Sequence, residues 1–190
     1  ELLSRAMDAK ARAHAREELR DRQPLPPPVR GDLAFEFPAT WGLASFDDLF
    51  VIVSGVAKGQ KIAPQEAVDV PYLRVANVQR GYLDLSVIKT ISVRRSDALR
   101  YTLEQGDVLM TEGGDWDKLG RAAIWRQEVV GCIHQNHIFR IRVPGGDVLS
   151  EWIILYANSP LGRRFFESAS KQTTNLASIN QRQLKAFPIF

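Results

Sequence analysis

Four of the five residues from Pro24 to Pro28 are proline. No helix or sheet ladder runs through such a stretch, because each proline lacks an N–H and fixes φ near −65°. The run therefore divides the chain. Upstream, residues 1–22 carry Ala6, Ala9, Ala11, Ala13 and Ala15 among charges of both signs, with no Gly or Pro. That composition predicts a helix. Leu2, Leu3, Met7 and Leu19 make only a faint apolar stripe, so the helix reads as a projecting spacer or docking arm with few contacts to the domain downstream. Residues 23–37 read as a semi-rigid strap. Deleting residues 1–30 is then expected to leave the melting temperature of the remainder nearly unchanged.

Residues 38–190 read as one α+β domain of short strands followed by helices. Phe50–Val53, Tyr72–Val78, Val87–Val93, Val108–Met110, Ala122–Trp125 and His137–Val143 are β-branched or aromatic runs between turn residues, the pattern of strands. Ser45-Phe-Asp-Asp48 fits a capped single helical turn. Val148–Ala157 reads as a helix, and Ser159-Pro160 supplies a cap and first-turn proline for another through Ser168. Ser178-Ile-Asn-Gln181 fits a capping box that opens a third.

A chain of 190 residues holds one sizeable core. No apolar run approaches the roughly 20 residues of a membrane-spanning helix, and the charged first residues do not form a secretory signal. Cys132 is the only cysteine, which fits a reducing, cytoplasmic setting. The chain opens at Glu1 and ends at Phe190 and reads as a piece of something longer. Net charge is only +3, yet residues 160–190 hold Arg163, Arg164, Lys171, Arg182 and Lys185 against Glu167 alone. A basic patch of that kind suits phosphate contact, or is simply a solvated face.

Catalytic signatures are missing. There is no Gly-x-x-x-x-Gly-Lys-Ser/Thr phosphate loop, no Asn/Asp-Pro-Pro-Tyr/Phe run for a flipped adenine, no Gly-rich cofactor turn and no nucleophile elbow. Cys132-Ile-His-Gln-Asn-His137 resembles a metal cluster, but zinc wants more ligands and His14 lies far off; His134 and His137 read instead as local hydrogen-bonding groups. Glu112, Asp115 and Asp117 with Lys118 have the types for a Mg²⁺-dependent nuclease, yet a two-metal site needs carboxylates from more than one element, and they read instead as setting a tight loop between Met110 and Arg121. Three polar loops carry residue types able to contact DNA. Lys58, Gln60 and Lys61 sit on a glycine-bearing loop, while Arg74, Asn77, Gln79 and Arg80 suit groove edges, where Arg pairs with guanine and Asn or Gln with adenine. Lys171, Gln172, Thr173, Thr174 and Asn175 are small polar donors that let backbone approach phosphate, and Lys118 and Arg121 complete the set. Each has a bland alternative: Asn77 as a cap, Arg74 as the wet face of a strand, Thr173-Thr174 as a turn. As DNA contacts, these loops are expected to converge on one face, whereas Arg94-Arg95 lacks accompanying amides.

In order along the chain stand Glu1-Leu-Leu3, Pro24-Leu-Pro-Pro27, Phe35-Glu-Phe-Pro38, Trp41-Gly42 and Pro71-Tyr-Leu-Arg-Val-Ala-Asn-Val-Gln-Arg-Gly81. Then come Gly106-Asp-Val-Leu-Met-Thr-Glu-Gly-Gly114, Leu119-Gly-Arg121, His134-Gln-Asn-His137, Lys171-Gln-Thr-Thr-Asn-Leu-Ala-Ser-Ile-Asn180 and Leu184-Lys-Ala-Phe-Pro188. Together these segments resemble the specificity subunit of type I restriction–modification enzymes. The resemblance implies a non-catalytic target-recognition domain beside a spacer helix, reading one half of a split site in double-stranded DNA. It also implies methyltransferase (modification) and restriction subunits as partners, which carry the S-adenosylmethionine, ATP and Mg²⁺, with no cofactor in this chain. Two other readings stand beside it: the recognition domain of a single-chain restriction enzyme–methyltransferase, and a protein-interaction module without DNA readout. Supplied with Mg²⁺, ATP and S-adenosylmethionine, the isolated chain is expected neither to cleave nor to methylate DNA. Turnover that copurifies with it would overturn that expectation.

Overall fold

In a computed structural model the described residues are 1–16, 25–33, 35–114, 118–146, 148–172 and 177–190. Period-two patterning along the middle of the chain builds the centre. Strands β2 (Val51–Ser54), β9 (Ile138–Arg142), β5 (Val108–Thr111) and β7 (Ala122–Ile124) lie in that order, all antiparallel. Along β5, Val108 and Met110 enter one apolar cluster and Leu109 the other, as alternation on a sheet buried on both faces requires. On β9, Phe139 and Ile141 enter the first cluster and Ile138 the second.

One face packs on helices. Phe46 and Leu49 of α2 (Phe46–Leu49), Ile153 and Tyr156 of α4 (Ser150–Asn158), Phe166 of α5 (Pro160–Ala169) and Leu184 of α6 (Gln181–Lys185) all lie in this cluster with Phe187 and Ile189. Strand β12 (Pro188–Ile189) pairs antiparallel with β1 (Ala44–Ser45), so the two ends of the domain meet. The other face packs on a second sheet, in which β3 (Ala67–Leu73) lies between antiparallel β4 (Lys89–Arg94) and parallel β8 (Ile133–His134). Helix α3 (Arg95–Tyr101) sits against that sheet. Helices, sheet, smaller sheet and α3 make the α+β domain that the residue pattern implied.

Local signals fare unevenly. Ser45 caps α2 in a capping box with Asp48, and Ser159 caps α5 with Pro160 in the first turn. The box expected at Ser178 lies instead at Asn180, whose side chain accepts from Gln183 N–H while the Gln183 amide reaches back. Ser178 is taken by a strand, β11 (Ala177–Ser178). The run Tyr72–Val78 is not one strand: β3 ends at Leu73, and Val75–Asn77 forms a 3-10 turn. Asn77 closes that turn by accepting from Arg74 N–H at 2.8 Å.

The N-terminal helix is present as α1 (Leu2–Arg16); residues 17–22 lie outside the described residues. It is not clear of the domain. Ala6 and Ala9 are buried and Leu3 packs on the helical cluster, because small side chains let the helix approach α2 closely without a wide apolar stripe. The strap is also engaged. The Arg30 guanidinium lies 4.0 Å from the Phe37 ring centroid and donates to the Trp41 carbonyl, while Phe35 and Phe37 pack on Phe190 at 5.3 and 5.0 Å. The expectation of an unchanged melting temperature is therefore corrected. Removing residues 1–16 uncovers Leu3, Ala6 and their partners and is expected to cost about 2 kcal/mol, roughly one buried leucine, read as a lower urea midpoint.

Between the layers sit polar groups that alternation placed inward. Arg140 is 1% exposed and donates to the carbonyls of Arg100 and Thr102. Arg142 grips buried Asp107 through two 2.8 Å bonds and Glu104 at 2.8 Å. His134 is fully buried, with Nδ1 3.0 Å from the Ile138 carbonyl. Burial first, and the Arg140 charge second, push its pKa from 6.5 down to about 3. The imidazole is neutral in the fold, whereas the unfolded chain binds a proton below 6.5. Its contribution is thus complete above that pH and lost as pH falls toward 3, at about 1.4 kcal/mol per pH unit. Urea unfolding of wild type and His134→Gln between pH 7 and 4 is expected to show their stability gap narrowing at that slope below about pH 6. Parallel curves would refute it.

Candidate nucleic-acid interface

The register of the central sheet collects the polar loops. Ser54 pairs with Phe139, Thr111 with Ile138 and Met110 with Ala122. The exit of β2, the exit of β5, the entry of β7 and the entry of β9 therefore lie at one end. From that end spring the loops bearing Lys58, Gln60 and Lys61, and Lys118 and Arg121. The turn holding Gln79 and Arg80 is tied to the same place. Gly81 N–H donates to the Ala122 carbonyl at 2.9 Å, and Arg121 donates to Gln79 Oε1 at 2.8 Å. Lys171 joins through backbone: β10 (Lys171–Gln172) pairs with β11, and β11 with β6 (Gly113–Gly114) just beyond β5. Only glycine permits this, since a Cβ on Gly113 would lie 2.2 Å from the Ala177 carbonyl oxygen.

Lys58, Gln60, Lys61 and Lys171 are exposed, while Gln79, Arg80, Lys118 and Arg121 are half-buried. Lys58 Nζ lies 5.2 Å from the Tyr72 ring centroid, and Gln60 accepts from Arg94 at 3.0 Å. Arg94, set apart in the sequence for want of amides, is thus attached to the loop. Thr173, Thr174 and Asn175 lie outside the described residues, as does the Gln172 side chain.

Asn77 does not join the group. It is 3% exposed, and its amide bonds Arg74 N–H and the carbonyls of Asp84 and Val87. Both amide N–H groups are spent on carbonyls and the side chain is buried, so it has no donor to offer a base edge, and Asn77 caps the turn. Arg74 leaves β3 at the correct end, but its guanidinium donates to the Val87 carbonyl at 3.3 Å.

Among the described residues no group of three or more His, Cys, Asp or Glu is placed to share a metal. Burial pushes the Cys132 thiol up to about 12, away from the thiolate a metal requires. His134 faces the Ile138 carbonyl and His137 faces Glu112 at 2.7 Å. Sequence reasoning gave neither Glu112 nor His137 a DNA-facing role, because their 25-residue separation hides the contact. No described helix is long and apolar enough to cross a membrane.

No family model matches the chain. It is 23% identical over 157 residues to a protein of Methanocaldococcus jannaschii described as the specificity subunit of the type I restriction enzyme MjaX, covering 81% of this chain and 36% of that protein. It is 25% identical to the EcoKI specificity subunit of Escherichia coli, over 71% of this chain and 30% of the relative. The EcoEI specificity subunit of Escherichia coli matches across 100% of this chain and 32% of its own length, at 22% identity. A chain from a structure of a type I R-M system shares the fold, with a TM-score of 0.53 and 14% identity, over 82% of this chain and 35% of that one. The chain thus spans about a third of the length of the curated relatives it matches. The resemblance carried by the ordered motifs stands: over most of its length this chain is similar to specificity subunits of type I restriction enzymes.

Proposed function

We infer that the chain recognises DNA sequence, as the part of a type I specificity subunit that reads one half of a split site, and that it does no chemistry itself. The observation that carries this is the gathering of Lys58, Lys61, Lys118, Arg121 and Lys171 at one end of the central sheet. A set of cations at one end of a rigid scaffold suits phosphates, and the interspersed Gln60 and Gln79 suit base edges. The likeness to named specificity subunits supports the same reading. In such an assembly the methyltransferase and restriction subunits carry S-adenosylmethionine, ATP and Mg²⁺, and the setting is the cytoplasm.

Each phosphate neutralised releases counterions, so the logarithm of the association constant falls by about 0.9 per phosphate for each decade of salt. Anisotropy titrations of duplex DNA with the full chain are expected to give a slope of about −4 to −5. Changing Lys58, Lys61, Lys118 and Lys171 to alanine together is expected to flatten it by about 3.5 units. Binding indifferent to salt, or a slope unmoved in a variant that keeps its melting temperature, would refute the reading.

A further inference from the structure

We propose that Glu112 and His137 form a base-reading pair that accepts a hydrogen bond from the exocyclic amino group of cytosine or adenine in the major groove. This inference rests on the DNA-recognition reading. Glu112 follows β5 and His137 precedes β9, the two middle strands of the order β2-β9-β5-β7. Lys58 and Lys61 follow the outer strand β2 and Arg121 precedes the outer strand β7, while Lys171 stands on β10, two strands across from β6 in the small sheet beyond β5. Three strand spacings of about 4.8 Å set β2 and β7 roughly 14 Å apart, comparable to the major-groove width of about 12 Å. Cations at the flanks then meet the two phosphate rims, and the middle strands face the base edges.

The pair is rigidly held. Glu112 N–H donates to the His137 carbonyl at 3.0 Å, and Ile179 N–H donates to the Glu112 carbonyl at 2.9 Å. The side chains meet at 2.7 Å with 54% of His137 and 30% of Glu112 exposed. With Nδ1–H donating to the carboxylate, Glu112 keeps further lone pairs free to accept from a base. A carboxylate amid phosphate-facing cations is repelled by DNA unless it takes a hydrogen bond there. The base groups in the major groove able to supply one are cytosine N4–H and adenine N6–H. His137 fixes the direction in which the carboxylate accepts and is a positioning residue as well as a neighbour.

The test is selection from randomised duplexes with the full chain, comparing wild type with Glu112→Ala, Glu112→Gln, His137→Ala and His137→Asn. Wild type is expected to prefer cytosine or adenine at one position by at least about tenfold. Glu112→Ala is expected to abolish that preference at that position alone, with the salt slope unchanged. Glu112→Gln gains a donor and is expected to admit guanine or thymine there. His137→Ala is expected to loosen the same position, and His137→Asn, which keeps a donor near Nδ1, to restore it. A selective wild type whose preference survives Glu112→Ala, or whose binding merely tightens uniformly, overturns the pair and leaves the DNA reading intact. A wild type without salt-dependent binding overturns both.

Discussion

The antiparallel ladder between β5 and β9 is the constraint on which the rest of the molecule depends. Its register, Val108 with Ile141 through Thr111 with Ile138, decides which side chains meet the helices and which meet the smaller sheet. A slip of one residue would exchange Leu109 with Met110 and turn every core side chain to the wrong layer. The same register brings Glu112 and His137 level and fixes the end of the sheet from which the polar loops leave. Fold and candidate interface are thus consequences of one pairing.

Because this sheet is covered on both faces, its arginines had to be accommodated rather than exposed. Arg140 is solvated by carbonyls at the end of α3, and Arg142 by the Asp107 carboxylate and Glu104. Asp107 also accepts from Glu104 N–H at 2.8 Å, so one buried carboxylate shapes the turn before β5 and holds β9 in register. Such pairs contribute little net stability against an apolar alternative, but removing one partner leaves a buried charge uncompensated and is costly. Their effect is to make the ladder's register selective. His134 adds a neutral group that has to stay neutral.

Much of this was legible where the signal was local. β-branched runs marked β4, β5 and β9, and the Ser159-Pro160 dipeptide marked the start of α5. What failed was information held in three dimensions. Asn77 has the chemistry of a groove reader, but its amide faces three backbone partners that sequence does not reveal. The packing of α1 rests on Ala6 and Ala9, residues too small to raise an apolar stripe. At the candidate interface, glycine and lysine announced the loops, while the Glu112–His137 contact depends on a register that residue types alone do not set.

The pairing of β1 with β12 has a bearing on how the protein is made. Ala44 pairs with Ile189 and Ser45 with Pro188, and Phe46 rests against Phe187 at 4.8 Å. A ribosome adding about 5–20 residues per second needs roughly 7–30 s to travel between those segments. Throughout that interval Phe46 and Phe50 have no Phe187 to close over them, and the nascent chain carries an apolar surface that only its own later synthesis can cover. Chaperone engagement and cotranslational aggregation should accordingly be governed by translation speed across this span, more than by the stability of the finished domain.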